Sequence, residues 1–188
     1  MKRVLIPLAQ GCEELEAVTL IDLLRRAGID VTTAALDAKP VTCSRQTVIV
    51  ADTTLDDILD QEFDLIVLPG GLPGADNLRD DERIIQLLKA QAEKNKYVAA
   101  ICAAPKALAK AGLLAGKKAT AFPGVLESLN LTSTTITNAA IEQDGHIITS
   151  RGPGTAMAFA LSLISLLMGP EAAHTVSEQM QAQDFSGA

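Results

Sequence analysis

The chain has 188 residues, a formal net charge of −7 at pH 7 and a sequence pI of about 4.8. This length suits one domain, residues 1–188, with a full hydrophobic core, and the negative charge argues against nucleic-acid binding through phosphate contacts. Three scattered cysteines without CxxC spacing argue against a disulfide framework or a zinc site, and we expect no metal and no cofactor.

The first part of the chain alternates between apolar runs and a helix. Residues 4–8 form a continuous apolar run, which is typical of a strand covered on both faces. A helix over residues 13–27 follows and ends before Gly28, a residue type favoured after a helix end. Residues 29–35 predict the next strand, and residues 41–51 are extended, as either a hairpin or a sheet edge.

The middle of the chain carries two more buried strands. Thr54 is a candidate cap for a short helix, and residues 63–68 form a second apolar run that ends in glycines. Asp80 is the predicted cap of a helix that reaches residue 94. Residues 96–101 predict a buried strand that leads directly to Cys102.

The last part of the chain predicts a helix over residues 103–112, a strand over 118–122 and a hairpin at Asp144-Gly145. The most apolar stretch, residues 156–168, is shorter than the ~20 residues needed to cross a bilayer. We therefore predict a buried helix here and a cytoplasmic protein without a membrane span. A last helix over residues 171–181 precedes a polar tail.

This alternation of strands and helices predicts a parallel sheet with helices on both faces. In such sheets, sites form outside the carboxyl ends of the strands. Three segments leave the predicted sheet at that edge: residues 9–13, residues 69–74 and the corner at Cys102. The sequence therefore predicts a site where these segments converge.

Cys102 stands at the corner between a predicted strand and a predicted helix. There the helix dipole and the free backbone N–H groups stabilise a thiolate and lower the thiol pKa. The neighbours Ala100, Ala103 and Ala104 are small, as a crowded nucleophile elbow requires. The alternative is a buried cysteine that packs as a small hydrophobic residue, but the pattern favours the reactive interpretation.

The first helix supplies an acid that could act with Cys102. Glu16 precedes Leu20 by four residues, so it falls on the core-facing stripe, where a carboxylate must be paired or protonated. Glu13 points in nearly the same direction, and periodicity does not choose between the two. Both acids could also simply complement the helix dipole.

The opposite face of the same helix is apolar as well, with Leu15, Val18 and Ile21. A helix with two apolar faces predicts either contact with a second subunit or burial under a loop.

Several groups could hold an anion near Cys102. The glycine-rich turn could cradle a phosphate, although it lacks the Lys-Ser/Thr of a P-loop, or it could be only a tight turn. We prefer a third interpretation, in which the Gly71 and Ala103 N–H groups form a two-donor oxyanion hole. Arg45 and Arg151 are candidate anion-binding residues or ordinary surface arginines.

The histidines and the other cysteines carry weaker signals. His146 and His174 are predicted to be exposed, which leaves Cys102 without the base that a cysteine–histidine pair needs. Cys12 and Cys43 are interpreted as packing or modestly exposed thiols. Cys12 falls in the loop predicted to lie beside Cys102.

Five segments together resemble the ThiJ/PfpI (DJ-1/PfpI) superfamily, specifically its DJ-1/YajL-like branch. They are Glu13-Glu14-Leu15-Glu16-Ala17-Val18, Cys43-Ser44-Arg45, Val67-Leu68-Pro69-Gly70-Gly71, Ala99-Ala100-Ile101-Cys102-Ala103-Ala104-Pro105 and Thr149-Ser150-Arg151-Gly152-Pro153-Gly154-Thr155. The resemblance extends over nearly the whole chain. It implies a flavodoxin-like α/β three-layer sandwich, with a mostly parallel sheet, helices on both faces and a small β-hairpin.

The resemblance also implies the roles of individual residues. It places the oxidation-sensitive cysteine at Cys102, its protonated glutamate partner at Glu16, and oxyanion-type amides at Gly71 and Ala103. It further implies a homodimer through the first helix, in agreement with the second apolar face.

Two positions depart from the patterns of other members. Protease-like members carry histidine directly after the cysteine, whereas this chain has Ala103, so we exclude a peptidase. Other members have a histidine near the cysteine at the position of Phe122, and a glyoxalase mechanism that relies on that histidine lacks its base here.

We therefore predict a cytoplasmic stress-response protein with a reactive, oxidation-sensitive Cys102. It would sense oxidants, act as a chaperone for client proteins and protect against reactive carbonyls. The alternative is a cofactor-free glyoxalase or protein deglycase, in which Cys102 adds to methylglyoxal or its adducts and Glu16 transfers protons. The expected small-molecule partner is thus a peroxide or a reactive carbonyl.

Overall fold

The structure is a computed structural model that describes residues 1–37 and 40–182. The strands, in chain order, are β1 (Arg3–Leu8), β2 (Asp30–Ala35), β3 (Val41–Thr42), β4 (Val48–Ile49), β5 (Thr53–Thr54), β6 (Leu65–Leu68), β7 (Tyr97–Ile101), β8 (Lys118–Ala119), β9 (Thr135–Ile136), β10 (Ile141–Asp144) and β11 (Ile147–Ser150). The helices are α1 (Glu14–Arg26), α2 (Gly74–Asp80), α3 (Glu82–Glu93), α4 (Pro105–Lys110), α5 (Ala156–Met168) and α6 (Pro170–Gln179). Residues 183–188 of the polar tail predicted after residue 181 lie outside the described residues.

Among the described residues, seven strands form one sheet in the order β10-β11-β7-β6-β1-β2-β5. All neighbouring pairs are parallel except β10 with β11. The central order β2-β1-β6-β7-β11 is that of a flavodoxin-like sheet, in which the chain reverses direction across the sheet between β1 and β6. This confirms the predicted fold class.

The helices form two layers that cover the sheet. Helix α1 packs against α5 and α5 against α6, whereas α2, α3 and α4 pack against one another. Helix α5 coincides with the predicted apolar helix and buries Phe159 and Leu163 completely. No helix within residues 1–37 and 40–182 is long and apolar enough to cross a membrane.

The hairpin predicted at Asp144-Gly145 is confirmed, and the extended segment over residues 41–51 adopts the hairpin of its two predicted alternatives. Strands β3 and β4 pair antiparallel, with Val41 opposite Ile49, so the extended segment is a hairpin outside the main sheet. Strands β10 and β11 pair antiparallel across the predicted turn, where Gly145 has φ +65°. That φ is in the left-handed region, which glycine enters without steric cost.

Two predicted helix caps are wrong. Thr54 lies in β5, and its hydroxyl donates to Asp57 (2.6 Å) beside a short 3-10 helix over Asp56–Ile58. Asp80 is the last residue of α2, a helix that the sequence did not predict after the glycine-rich turn. The cap of α3 is instead Asp81, whose carboxylate accepts the Arg83 N–H (2.9 Å).

The strand predicted over residues 118–122 is shorter in the structure, because the backbone after residue 119 forms hydrogen bonds outside a strand pair. Only Lys118–Ala119 pairs as β8, with β9. The Thr120 N–H donates to the Thr149 hydroxyl (2.9 Å), and the Phe122 N–H donates to the Cys102 carbonyl (2.8 Å). These bonds direct the chain across the mouth of the Cys102 corner.

Candidate functional site

Cys102 lies at the corner between β7 and α4, as predicted. Its N–H donates to the Ser150 carbonyl at the end of β11 (3.0 Å), and α4 begins three residues later at Pro105. Cys102 has φ +63°, in the left-handed region that residues with a Cβ rarely adopt. Such strain concentrates at functional sites, so the corner is a candidate site on backbone geometry alone.

Glu16 is the buried carboxyl of this corner. It lies in the first turn of α1 and is 0% exposed, and its Oε2 accepts the Gly70 N–H (2.7 Å). Its other oxygen, Oε1, is also buried and has no hydrogen-bond partner among the described residues. The Cys102 thiol is close enough that the two groups shift each other's pKa. Of the two acids between which periodicity did not choose, Glu16 is therefore the one that is buried beside Cys102.

Burial raises the pKa of Glu16 to about 7, and the Glu13 charge adds to this effect, whereas the Gly70 N–H and the neighbouring Cys102 thiol oppose it. A carboxyl removed from water disfavours its charged form. Both protonation states of Glu16 are therefore populated near neutral pH, which is the condition for a carboxyl that donates and accepts protons.

The pKa of the Cys102 thiol moves in the direction opposite to the one predicted. Burial and the Glu16 charge raise the pKa of Cys102 to about 12, while the Gly71 and Ala103 N–H groups lower it. The helix end alone suggested a lowered pKa, but the corner is buried and faces a carboxyl. The Glu16 contribution exists only while Glu16 is ionised, so thiolate formation at Cys102 is coupled to protonation of Glu16.

The glycine-rich turn after β6 brings three loops into backbone contact. A Cβ on Gly70 would lie 2.7 Å from the Cys102 Cβ, and one on Gly71 would lie 2.3 Å from the Glu13 nitrogen. A Cβ on Gly74 would lie 2.5 Å from the Cys12 nitrogen. The glycines thus allow the segments after β1, β6 and β7 to converge, as the sequence predicted for this sheet edge.

A cavity of about 240 Å³ opens in front of Cys102. Its polar lining comes from Glu13, Ser44, Arg45 and the backbone of Gly71 and Ala103. Its apolar lining comes from Leu72, Phe122, Val125 and Pro153. Phe122 is about half exposed, so its aromatic ring lines the cavity and remains accessible to solvent. The cavity can accept a small polar group and a short apolar one together.

Of the two candidate anion-binding arginines, Arg45 lines the Cys102 cavity and Arg151 does not. The Arg151 guanidinium donates to Asn138 (3.1 Å). The segment that carries Arg45 is held by Glu14, whose carboxylate accepts the Arg45 N–H (3.0 Å). Arg45 therefore remains the candidate anion-binding residue of the pair.

One feature was missed by sequence reasoning. The Cys12 loop does pack against the glycine turn as predicted, but the Cys12 sulfur contacts the Cys43 sulfur at 3.5 Å. The two cysteines are 31 residues apart and follow no metal or redox spacing, so no local pattern could have paired them.

The histidines lie away from the Cys102 cavity. His146 is exposed and its ring packs at a tilt against Tyr97, with ring centroids 5.2 Å apart, and His174 is exposed and lies 3.2 Å from Glu178. In the part of the chain that the structure describes, no group of three or more histidine, cysteine or acidic residues could hold a metal ion. Cys102, Glu16 and the backbone amides of Gly71 and Ala103 are therefore the predicted site residues that meet at this corner.

A family model described as "DJ-1/PfpI family" matches residues 2–166. Among curated proteins, Protein DJ-1 homolog A of Arabidopsis thaliana is 48% identical over 178 residues, which are 94% of this chain and 45% of that protein. The chain thus spans about half the length of that relative. A protein of Caenorhabditis elegans named glutathione-independent glyoxalase DJR-1.2 is 34% identical over 168 residues, 89% of each chain.

Solved structures agree with the sequence comparison. Drosophila melanogaster DJ-1beta superposes with a TM-score of 0.93 at 39% identity, covering 97% of this chain and 99% of that one. Toxoplasma gondii DJ-1, described as oxidized, superposes with a TM-score of 0.91 at 36% identity, covering 96% and 98%.

Proposed function

Because this chain belongs to the DJ-1/PfpI family, we propose that it is a stress-response protein whose oxidation-sensitive group is the Cys102 thiol. The observation that carries the proposal is the Glu16 oxygen that is buried without a hydrogen-bond partner beside that thiol. A protonated Glu16 has an O–H to donate, and an ionised or oxidised sulfur is its natural acceptor. The proposed compartment is the cytoplasm, and the proposed outcome is the protection of client proteins under oxidative stress.

The proposed reaction proceeds in two balanced steps. Cys102–SH and hydrogen peroxide give the sulfenic acid and water, and a second peroxide gives the sulfinic acid and another water. The ionised sulfinate would accept hydrogen bonds from Glu16 and from the Gly71 and Ala103 N–H groups. These two N–H groups already lower the pKa of the Cys102 thiol. Arg45 would add a positive charge at the wall of the cavity.

Treatment of the native protein with low concentrations of peroxide tests this proposal. We expect a mass gain of two oxygen atoms that peptide mapping localises to Cys102. In Glu16→Ala the sulfinate loses a donor, so we expect less of the two-oxygen product and more of the three-oxygen sulfonic acid. Glu13→Gln is the matched control, because Glu13 lines the cavity but its carboxyl accepts from Ser44 (2.8 Å), whereas the Glu16 carboxyl accepts from Gly70. Oxygen uptake at Cys12 or Cys43 before Cys102, or a Cys12–Cys102 disulfide, would contradict the proposal.

A second candidate function is glyoxalase or protein deglycase activity, which the size of the cavity favours and which agrees with the name of the nematode relative. The Cys102 sulfur would bond to the aldehyde carbon of methylglyoxal, and the carbonyl oxygen would take up the proton. Glu16 would then remove the proton from that carbon and return it to the neighbouring carbon, while the hydroxyl proton passes to the ketone oxygen, which leaves the lactoyl thioester. Water would release lactate and regenerate the thiol, so that methylglyoxal and water give lactate.

Lactate formation from methylglyoxal tests this candidate. We expect Cys102→Ala and Glu16→Ala each to abolish it, whereas Glu13→Gln retains it. Because Phe122 occupies the position of a histidine in other members, we expect the turnover of the unmodified chain to be slow. Turnover at the unmodified level in either of the first two variants would exclude the mechanism.

A further inference from the structure

The chain holds a pair of thiols outside the Cys102 corner, Cys12 and Cys43. The Cys12 and Cys43 sulfur atoms are 3.5 Å apart, and the two residues are 0% and 2% exposed. Cys12 lies in the loop before α1, and Cys43 directly follows β3 in the small hairpin. The chemistry proposed for Cys102 uses neither of them.

The backbone around this pair holds the two cysteines in place. The Ser44 N–H donates to the Cys12 carbonyl (2.8 Å), so a hydrogen bond joins the two loops beside the sulfur contact. The Cys12 N–H donates to the Ala9 carbonyl (3.0 Å), and the Cys43 N–H donates to the Thr47 carbonyl (2.8 Å). A disulfide has an S–S distance of about 2.05 Å, so the sulfurs need to approach by only about 1.5 Å.

We propose that Cys12 and Cys43 are a reversible dithiol–disulfide site, separate from Cys102, that reacts with small-molecule disulfides. One cysteine, as its thiolate, attacks the small disulfide, forms a mixed disulfide and releases one small thiol. The second cysteine loses its proton and attacks the protein sulfur of that mixed disulfide, which releases the other small thiol. The protein loses two hydrogens in total, and the small disulfide gains them.

Cys43 is the residue that an oxidant reaches first. Its neighbours Thr42, Arg45 and Gln46 are exposed, and β3 and β4 have two residues each. Short hairpins with few buried neighbours open locally at low cost in free energy. Burial and nearby charges raise the pKa of both thiols, so the exchange is slow at neutral pH and accelerates as the pH rises.

A Cys12–Cys43 disulfide would act on the wall of the Cys102 cavity through the residues that follow each cysteine. Glu13 follows Cys12 and Ser44 follows Cys43, and the Ser44 hydroxyl donates to the Glu13 carboxylate (2.8 Å). Both residues line the Cys102 cavity. Oxidation of the pair therefore ties the cavity wall that carries Arg45 to the beginning of α1. The proposal rests on the contact between the Cys12 and Cys43 sulfur atoms and does not depend on the function of Cys102.

The test uses the full chain with Cys102→Ser, which removes the third thiol. The folded protein is equilibrated with oxidised glutathione at pH 8, free thiols are blocked with N-ethylmaleimide, and the intact mass is measured. We expect the loss of two hydrogens, no maleimide addition, and a peptide cross-linked between Cys12 and Cys43 that dithiothreitol separates. The matched controls Cys12→Ala and Cys43→Ala, in the same Cys102→Ser chain, should each keep one thiol that takes up maleimide or glutathione.

Three outcomes would overturn the proposal: two maleimides on the treated protein, stable glutathione adducts without a cross-link, or a Cys43–Cys43 link between two chains. Hydrogen exchange of the peptide that covers residues 40–50 gives a second readout on the same sample. It should slow when the pair is oxidised, and an unchanged rate would show that the disulfide does not restrain the hairpin.

Discussion

At the scale of single residues, the site depends on a carboxyl that the fold keeps away from water. The position of Glu16 on the core-facing stripe of α1 was visible in the sequence. Its distinction from Glu13 was not, because both point in nearly the same direction along a helix. The tertiary contact with Gly70 (2.7 Å) and Cys102 separates them.

Burial of Glu16 predicts a specific pH dependence of stability. Its folded-state pKa of about 7 lies above the ordinary value of 4.5, so folding favours the protonated form. This contribution is fully present below pH 4.5 and is lost as the pH rises through about 7. Each pKa unit corresponds to about 1.4 kcal/mol, so up to about 3 kcal/mol of the free energy of unfolding depends on this proton.

We expect Glu16→Gln, which stays neutral, to lose this dependence. Urea unfolding at pH 5 and pH 8 measures it, because the variant should gain stability relative to the unmodified chain as the pH rises. Glu13→Gln serves as the control for the loss of a neighbouring carboxyl. A difference between Glu16→Gln and the unmodified chain that is the same at both pH values would show that Glu16 does not titrate as the structure indicates.

At the scale of elements, the apolar runs placed the central strands and the long helices correctly, but single caps were misassigned. Two aspartates stand side by side at residues 80 and 81, and both suit a helix start. The unpredicted helix α2 ends at Asp80, so Asp81 is the residue that accepts the Arg83 N–H and caps α3. The choice depended on where the preceding helix ended.

This assignment is testable with neighbouring substitutions. We expect Asp81→Ala to lower the free energy of unfolding by about 1 kcal/mol or more, because it removes the cap of α3 and an ion pair with Arg83. Asp80→Ala should cost less, because Asp80 is exposed and its ion pair with Arg79 lies on the surface. Equal costs, measured by urea unfolding of both variants, would contradict the assignment of the cap.

At the scale of the whole molecule, α1 joins the site to an exposed apolar face. Glu16 is buried on one side of this helix, while Leu15 and Val18 are about half exposed on the other. Val48 and Val50 of the neighbouring hairpin segment are exposed as well. We propose that this face forms the homodimer interface that the family resemblance implies.

Leu15→Asp tests the proposed dimer, because a charge on this face would remain unpaired when a second chain covers it. We expect the mass measured by sedimentation or light scattering to fall from twice 19.7 kDa to 19.7 kDa. Leu59→Asp is the control, since Leu59 is exposed (39%) but lies outside α1 and the hairpin. A mass of 19.7 kDa for the unmodified chain, or an unchanged dimer in Leu15→Asp, would contradict the proposal.

The sequence by itself determined the α/β class, the order of the main elements and the corner that carries Cys102. These depend on local periodicity and on glycine, proline and alanine at particular positions, which act over a few residues. The tertiary structure decided the properties that depend on distant neighbours. Burial beside Glu16 reversed the expected direction of the Cys102 pKa, because desolvation and the facing carboxylate outweigh the Gly71 and Ala103 N–H groups. The Cys12–Cys43 contact likewise required the packing of two loops that no local pattern joins.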